Sequence, residues 1–169
     1  MKPSQDFPNT CAQHDGVIHQ IGVSLGGVPK LSVQEAEVTV QGLIGDRQRN
    51  RRIHGGPRRA LCLYSLEVID LLRTEGHPIA PGTTGENITI SGVDWARIRP
   101  GTQILLGEEA LLEVTAYTAP CKNIAASFID GDFTRIAQKR FPGRARLYAR
   151  VLTPGRVGRG DRVRVIEPA

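Results

Sequence analysis

The sequence predicts a mainly β (α+β) fold with a few helices, in which the strands close into a β-barrel. Short segments with alternating apolar residues follow one another along most of the chain, which is typical of strands with one buried face. Gly or Pro separates nearly all of these segments. A barrel is favoured over an open sheet because closure leaves fewer exposed edge strands.

Length and composition fit a single domain. The chain has 169 residues, of which 40% are hydrophobic and 23% charged, and a chain of this size buries roughly 70% of its extended surface. No apolar run of about 18 residues is present, so we expect no membrane span. The N-terminus lacks the apolar core of a signal peptide, and three widely spaced cysteines favour a reducing compartment, so we expect a cytoplasmic protein.

Taken in order, the chain begins with a polar segment, residues 1–15, which we expect to be a flexible tail. Residues 16–169 are expected to form the barrel domain. Alternation such as Val38-Thr39-Val40 marks its strands. Eight strands are predicted, at Val17–Val23, Ala36–Gln41, Ala60–Tyr64, Glu86–Ile90, Thr102–Leu106, Ala110–Tyr117, Arg146–Leu152 and Arg162–Ile166.

Three helices are predicted between the strands. One follows Ser65 and one follows Asp132, residue types whose side chains cap helix N-termini, and another begins near Cys121. Gly76 ends the first and Pro142-Gly143 the last. Apolar residues recur at helical spacing in each and are expected to pack on the barrel: Val68, Leu71 and Leu72, then Ile124 and Phe128, then Phe133, Ile136 and Ala137.

Cys121 is a candidate functional residue because a strand pattern runs into Pro120 directly before it. Proline suits the entry to a helix, so the thiol is expected at a helix N-terminus, facing free N–H groups and the positive end of the dipole. With Lys122 beside it, this setting favours the thiolate, the form that binds a metal or carries sulfur. The alternative is a small buried hydrophobic residue, as most free cysteines are.

The loop over residues 42–59 is a second candidate, because loops longer than about 12 residues are often functional. Gly55-Gly56 lets a ligand approach backbone N–H groups, and His54 can donate to an oxyanion. The planar guanidinium group of arginine binds phosphate through two N–H groups at once, so the density of arginines in this loop favours an anionic ligand. The arginines are Arg47, Arg49, Arg51, Arg52, Arg58 and Arg59. The alternative is a plain turn with a solvated, basic surface.

A third candidate is Thr83-Thr84-Gly85-Glu86-Asn87-Ile88, at the start of a predicted strand. Glu86 and Asn87 can hydrogen-bond the donor and acceptor edges of a heterocycle. Their polar side chains can equally shape the turn that leads into the strand. Spacing alone favours the turn.

Together, these segments resemble the MOSC domain family, named after the C-terminal domain of molybdenum cofactor sulfurase. The resemblance extends from about Val17 to Ile166 and implies a pyruvate-kinase-like β-barrel that binds the molybdenum cofactor (molybdopterin), a pterin dithiolene with a phosphate. It rests on the order of Gly42-Leu43-Ile44-Gly45-Asp46, His54-Gly55-Gly56-Pro57, Gly85-Glu86-Asn87-Ile88, Pro120-Cys121-Lys122-Asn123-Ile124, Val151-Leu152-Thr153-Pro154-Gly155 and Gly160-Asp161-Arg162-Val163.

The resemblance also implies roles. In the family, the cysteine of the Pro-Cys motif is the proposed sulfur carrier or molybdenum ligand, which points to Cys121. Related proteins reduce N-hydroxylated compounds, so a small substrate of that kind is expected, and a cysteine desulfurase or redox partner would act in trans. The implied cofactor-binding residues are Asp46, His54, Gly55, Gly56, Arg58, Arg59, Gly85, Glu86, Asn87 and Lys122.

Two other functions stay open. A net charge of +5 fits a basic nucleic-acid-binding barrel, but aromatic residues, on which bases stack, make up only 5% of the chain. Nucleic acid is therefore the less favoured partner. A noncatalytic interaction module is the third possibility, because a fold does not determine a function. The sequence does not separate sulfur transfer from reduction or cofactor carriage.

Overall fold

The structure, a computed structural model, describes residues 15–47 and 55–166. These ranges contain eleven strands: β1 (Asp15–Val23), β2 (Leu31–Val33), β3 (Glu35–Thr39), β4 (Gly42–Leu43), β5 (Leu61–Ser65), β6 (Ile88–Ser91), β7 (Gln103–Leu106), β8 (Ala110–Tyr117), β9 (Leu147–Thr153), β10 (Gly155–Gly158) and β11 (Arg162–Ile166). Of the predicted tail, only Asp15 lies within the described residues, where it pairs with Arg164 of β11.

Seven strands close a barrel in the order β1, β11, β7, β8, β9, β5, β6 and back to β1. Neighbouring strands are antiparallel except β5 and β6, which are parallel. β2 pairs with the C-terminal end of β1, from Ile21 to Val23, and a small sheet has the order β10, β3, β4. The barrel predicted from alternation and turn spacing is therefore confirmed.

Strand register decides which side chains face the barrel interior. Val114 of β8, Ala149 of β9 and Leu61 of β5 are successive register partners, each at most 1% exposed, and they lie in the aliphatic core. Successive residues of a strand point to opposite faces. Cys62 and Tyr148, the next pair along β5 and β9, therefore point outward from the barrel.

The first predicted helix is the α-helix α1 (Leu66–Thr74), and the Ser65 hydroxyl accepts a hydrogen bond from the Val68 N–H at 3.3 Å. The other two are short 3-10 helices, Lys122–Ser127 and Phe133–Ile136. The earlier of these ends where the backbone of Phe128 becomes extended and its ring packs edge-on against His77, with centroids 5.5 Å apart.

The last predicted helix is shorter than expected. Its cap is present, since Asp132 accepts from the Thr134 N–H, but Ala137 is already extended, well before Pro142-Gly143. Three further 3-10 helices lie at Pro57–Arg59, Trp95–Arg97 and Ile129–Gly131. In the part of the chain that the structure describes, no helix has the length and apolar character needed to cross a bilayer.

Three strands were not predicted. β2, β4 and β10 are two to four residues long, and β10 lies where Pro154-Gly155 indicated a turn. Their backbone groups are ordered by partner strands, as when Gly155 pairs with Val38 of β3. Such short strands depend on tertiary pairing and leave little trace in a local pattern.

Candidate functional site

A cavity of about 250 Å³ lies on the outward side of β5 and β9, beneath the segment that carries Cys121. It brings together residues distant in sequence. Its lining includes two thiols, those of Cys62 and Cys121. Three basic residues also line it, Lys30, Arg47 and Arg146, and the turn before β6 contributes Thr84, Gly85 and Asn87. We call this the thiol cavity.

Cys121 lies at the N-cap of the 3-10 helix Lys122–Ser127, with an extended backbone, φ −142° and ψ 171°. Its thiol is free and half-buried. The helix begins at Lys122, beside the cysteine as predicted, but Pro120 precedes the N-cap and therefore lies outside the first turn. Lys122 is exposed and does not line the thiol cavity.

Cys62 is a second thiol on the same cavity, which the sequence did not single out. It is 7% exposed, and its Sγ lies 3.9 Å from the Thr118 Oγ1. Burial raises the pKa of the Cys62 thiol, and the Arg146 guanidinium partly opposes that shift. Neither Cys62 nor Cys121 is in a disulfide.

Arg146 places a buried positive charge on the cavity. Its side chain is 6% exposed, and its Nη1 donates to the Thr84 carbonyl. Among the described residues, its buried Nε has no hydrogen-bond partner and no ion pair includes this guanidinium. A buried charge without a counter-ion is costly. An anion in the cavity would therefore relieve that cost.

Lys30, in contrast, is already neutralised. Its Nζ lies 2.6 Å from the Asp46 Oδ1, and both side chains are less than a tenth exposed. Asp46 also accepts from the Ser24 N–H at 2.9 Å and from the Asn87 Nδ2 at 2.8 Å. The Asn87 Oδ1 in turn accepts from the Cys62 N–H at 3.0 Å. Asp46 and Asn87 thus fix the cavity wall through hydrogen bonds within the protein.

Glu86 is buried inside the turn before β6. Its carboxylate accepts from the Gly82 N–H and the Thr84 hydroxyl, both at 2.7 Å, and from the Thr89 hydroxyl at 3.3 Å. It does not line the thiol cavity. The geometry of Glu86 matches the turn interpretation of this segment, whereas Gly85 does line the cavity.

The glycine-rich loop lines a different space. A second cavity of about 330 Å³ is lined by Asp46, Gly55 and Gly56, and Arg47 contributes to both cavities. Arg58 is exposed, and the guanidinium of Arg59 lies over the ring of Tyr148 at 5.3 Å. His54 lies outside the described residues, as do Arg49, Arg51 and Arg52.

The structure therefore divides the predicted site residues that it describes, all of them except His54, into three sets. Gly85, Asn87 and Cys121 meet at the thiol cavity. Asp46, Gly55 and Gly56 lie at the second cavity. The remaining four residues line neither cavity: Arg58, Arg59, Glu86 and Lys122.

Sequence reasoning missed Lys30, Cys62, Arg146 and Tyr148. Register brings Cys62 beside Tyr148, which no local pattern reveals. A weak signal for Arg146 was present, since it directly precedes the apolar run Leu147-Tyr148-Ala149. A charge at the end of a buried strand is uncommon and is a reason to suspect a ligand site.

The fold and the thiol cavity together define a β-barrel protein with a cavity that two thiols and three basic residues line. The sequence profile of the MOSC domain matches residues 50–164, and this chain belongs to the MOSC domain family. The resemblance of the motifs is thereby confirmed.

Individual proteins agree with this assignment. Over 137 residues the chain is 31% identical to protein YiiM of Escherichia coli K12, a match that covers 77% of this chain and 59% of YiiM. It is 28% identical over 131 residues to a protein of Gibberella moniliformis named "Reductase", covering 75% of this chain and 23% of that protein. The crystal structure of YiiM from Escherichia coli superimposes with a TM-score of 0.65 at 25% identity, covering 93% of this chain and 70% of that one.

Proposed function

We propose that this chain binds the molybdenum cofactor in the thiol cavity, with Cys121 as the sulfur carrier or molybdenum ligand. One observation carries the proposal: a free thiol and a buried guanidinium, Arg146, which forms no ion pair with the described residues, line the same cavity. Membership of the MOSC family supports it, because that family takes its name from a molybdenum cofactor sulfurase.

The residues present fit such a ligand. The cofactor carries a phosphate, and the buried Nε of Arg146 has no acceptor in the part of the chain that the structure describes. A thiolate is a soft ligand suited to molybdenum. In residues 15–47 and 55–166, no three His, Cys, Asp or Glu side chains converge, so a metal here would rest on Cys121 and on the cofactor's own dithiolene.

The second cavity gives room for an extended ligand. Arg47 lines both cavities, so a ligand longer than the thiol cavity can continue toward the backbone of Gly55 and Gly56. Glycine N–H groups and arginine together suit an anionic group there. When bound, the cofactor supplies two-electron redox chemistry at molybdenum, while this chain's residues orient it and neutralise its charge.

Two activities follow from this binding, sulfur transfer to the cofactor and reduction of a small N-hydroxylated compound. The relative named "Reductase" supports the latter. In either case, sulfur or electrons would come from a separate protein, a cysteine desulfurase or a redox partner. The two free thiols at the cavity fit a reducing compartment such as the cytoplasm.

The test is metal and pterin analysis of protein purified from cells that make the cofactor. We expect molybdenum and released pterin in the wild type and in the matched control Cys11→Ala, and loss of molybdenum in Cys121→Ala. Equal molybdenum in the wild type and Cys121→Ala would remove the ligand role. Neither molybdenum nor pterin in any of the three proteins would remove the cofactor.

A further inference from the structure

Two thiols on one cavity allow a reaction that one thiol does not. We infer that Cys62 is the resolving thiol of the cavity, which releases as hydrosulfide the sulfur that Cys121 carries. This inference rests on the proposed sulfur-carrier role of Cys121.

The structure places the two thiols around common neighbours. The Thr118 hydroxyl contacts the Cys62 Sγ at 3.9 Å, and Cys121 follows Thr118 by three residues. Tyr148 is the register partner of Cys62 and also lines the cavity. Burial raises the pKa of Tyr148 to about 12, and the charges of Cys62 and Cys121 both add to that shift. The phenol therefore lies within electrostatic reach of both sulfur atoms.

The two cysteines differ in freedom of movement. Cys62 is fixed in β5, which pairs with β6 on one side and β9 on the other. Cys121 lies at an N-cap, and its neighbours Ala119, Lys122 and Asn123 are exposed. Segments with few buried contacts open most easily. Cys121 is thus the partner that moves, bringing its sulfur atom toward Cys62.

The proposed step is a thiol–disulfide exchange within one chain. The Cys62 sulfur attacks the inner sulfur of the Cys121 persulfide, so a Cys62–Cys121 bond forms and the bond to the terminal sulfur breaks. The terminal sulfur leaves with the electron pair as hydrosulfide and takes up the Cys62 proton. The carried sulfur is reduced to sulfide, and the two cysteines are oxidised to a disulfide. A dithiol then reduces that disulfide and restores both thiols.

Burial raises the pKa of the Cys62 thiol and favours the protonated, less nucleophilic form, and the Glu86 carboxylate adds to that shift. The positive charge of Arg146, and to a smaller extent that of Lys30, opposes the shift and favours the thiolate that attacks the persulfide. Arg146 lines the same cavity, and its Nε has no hydrogen-bond partner among the described residues, so its charge is also available to the hydrosulfide anion that leaves. The product would be held in the cavity where the cofactor is proposed to bind.

The experiment uses the full chain with Cys11→Ser, which removes the third thiol. This parent and its Cys62→Ser and Cys121→Ser derivatives are treated briefly with inorganic polysulfide, freed of excess, and followed by intact mass and sulfide release. We expect the parent to release one sulfide per chain and to lose two hydrogen atoms as an intramolecular disulfide. Dithiothreitol then restores its capacity for a second round.

The variants separate this inference from the proposed function. We expect the Cys62→Ser derivative to retain one added sulfur atom on Cys121 and to release no sulfide, and the Cys121→Ser derivative to do neither. If the Cys62→Ser derivative releases sulfide as fast as the parent, Cys62 is not the resolving thiol, although Cys121 remains a carrier. If Cys121 gains no sulfur in either protein that retains it, the carrier role fails as well. A Cys62→Ala derivative serves if serine at this buried position prevents folding.

Discussion

Two groups of basic residues in this chain differ in their surroundings. One is the arginine-dense segment 47–59, of which Arg47 reaches the thiol cavity, and the other is the widely separated, buried pair that lines that cavity, Lys30 and Arg146. In the first, Arg58 is exposed and the side chain of Arg59 stacks on Tyr148. In the second, both side chains are less than a tenth exposed. As a guide to an anion-binding site, the density of arginines in the sequence therefore indicates segment 47–59, whereas burial in the structure indicates Lys30 and Arg146.

Burial changes what a charge can do. An exposed guanidinium is hydrated and screened, so it adds little to the binding of an anion. A charge in a less polar interior interacts several times more strongly at the same distance. Lys30 already uses that interaction with Asp46, whereas Arg146 has no such partner among the described residues. Arg146 is therefore the residue from which an anionic ligand would gain the most binding free energy.

The largest expected effect is on stability, from Asp46→Ala. This change leaves the buried ammonium of Lys30 without its carboxylate at 2.6 Å. We expect the free energy of unfolding to fall by about 3–5 kcal/mol, measured by urea denaturation. The matched control is Glu35→Ala, which breaks an ion pair of the same 2.6 Å length whose side chains are 59% and 73% exposed. It should cost less than about 1 kcal/mol. Equal losses would show that burial does not distinguish these charges.

Arg146→Met should have a smaller effect on stability. It leaves the Thr84 carbonyl without a donor, a loss of about 1–3 kcal/mol. It also removes a buried charge that has no counter-ion, which offsets part of that loss. We expect the free energy of unfolding to change by less than about 2 kcal/mol in the same urea assay. A loss as large as that of Asp46→Ala would mean that Arg146 is mainly a structural residue.

The smallest expected effect on stability comes from Glu75→Gln, which removes the ion pairs of Glu75 with Arg144 and Arg135. Hydrogen bonds from Arg144, and then from Arg135, hold the pKa of Glu75 below its ordinary value of 4.5, against an opposing effect of burial. The stabilisation is therefore present above that value and is lost as the pH falls through the lowered pKa. Glu75→Gln should cost less than about 1 kcal/mol at pH 7, and progressively less as the pH falls below 4.5. Urea denaturation at pH 7 and at a series of lower pH values checks this, and a loss independent of pH would contradict it.

Local pattern was sufficient for most of the fold. Alternation located most strands of the barrel, including β8 and β11, because one face of each of these strands is buried. All five residues of β5 are buried, so this strand was located without that alternation. Ser65 and Asp132 were recognised as caps because capping depends on residues a few positions apart. The two-residue strand β4 was missed, since only its pairing with β3 makes it a strand.

The site was less predictable for a related reason. Cys121 was found because its motif is continuous in sequence, and the cavity indeed includes it. Arg146 was missed because its importance comes from burial and from a missing partner, which only packing creates. Glu86 was chosen for its chemistry, yet its carboxylate is occupied by Gly82, Thr84 and Thr89. Residue type suggests which groups can bind, and packing decides which of them are available.

The most direct test compares Arg146→Met with Arg58→Met in protein purified from cells that make the molybdenum cofactor. Released pterin per chain is measured in both variants and in the wild type. A charged hydrogen bond is worth about 1.5–3 kcal/mol, so we expect Arg146→Met to bind at least about tenfold more weakly and Arg58→Met to match the wild type. Wild-type pterin content in Arg146→Met, or its loss in Arg58→Met alone, would contradict the assignment of the thiol cavity as the cofactor site.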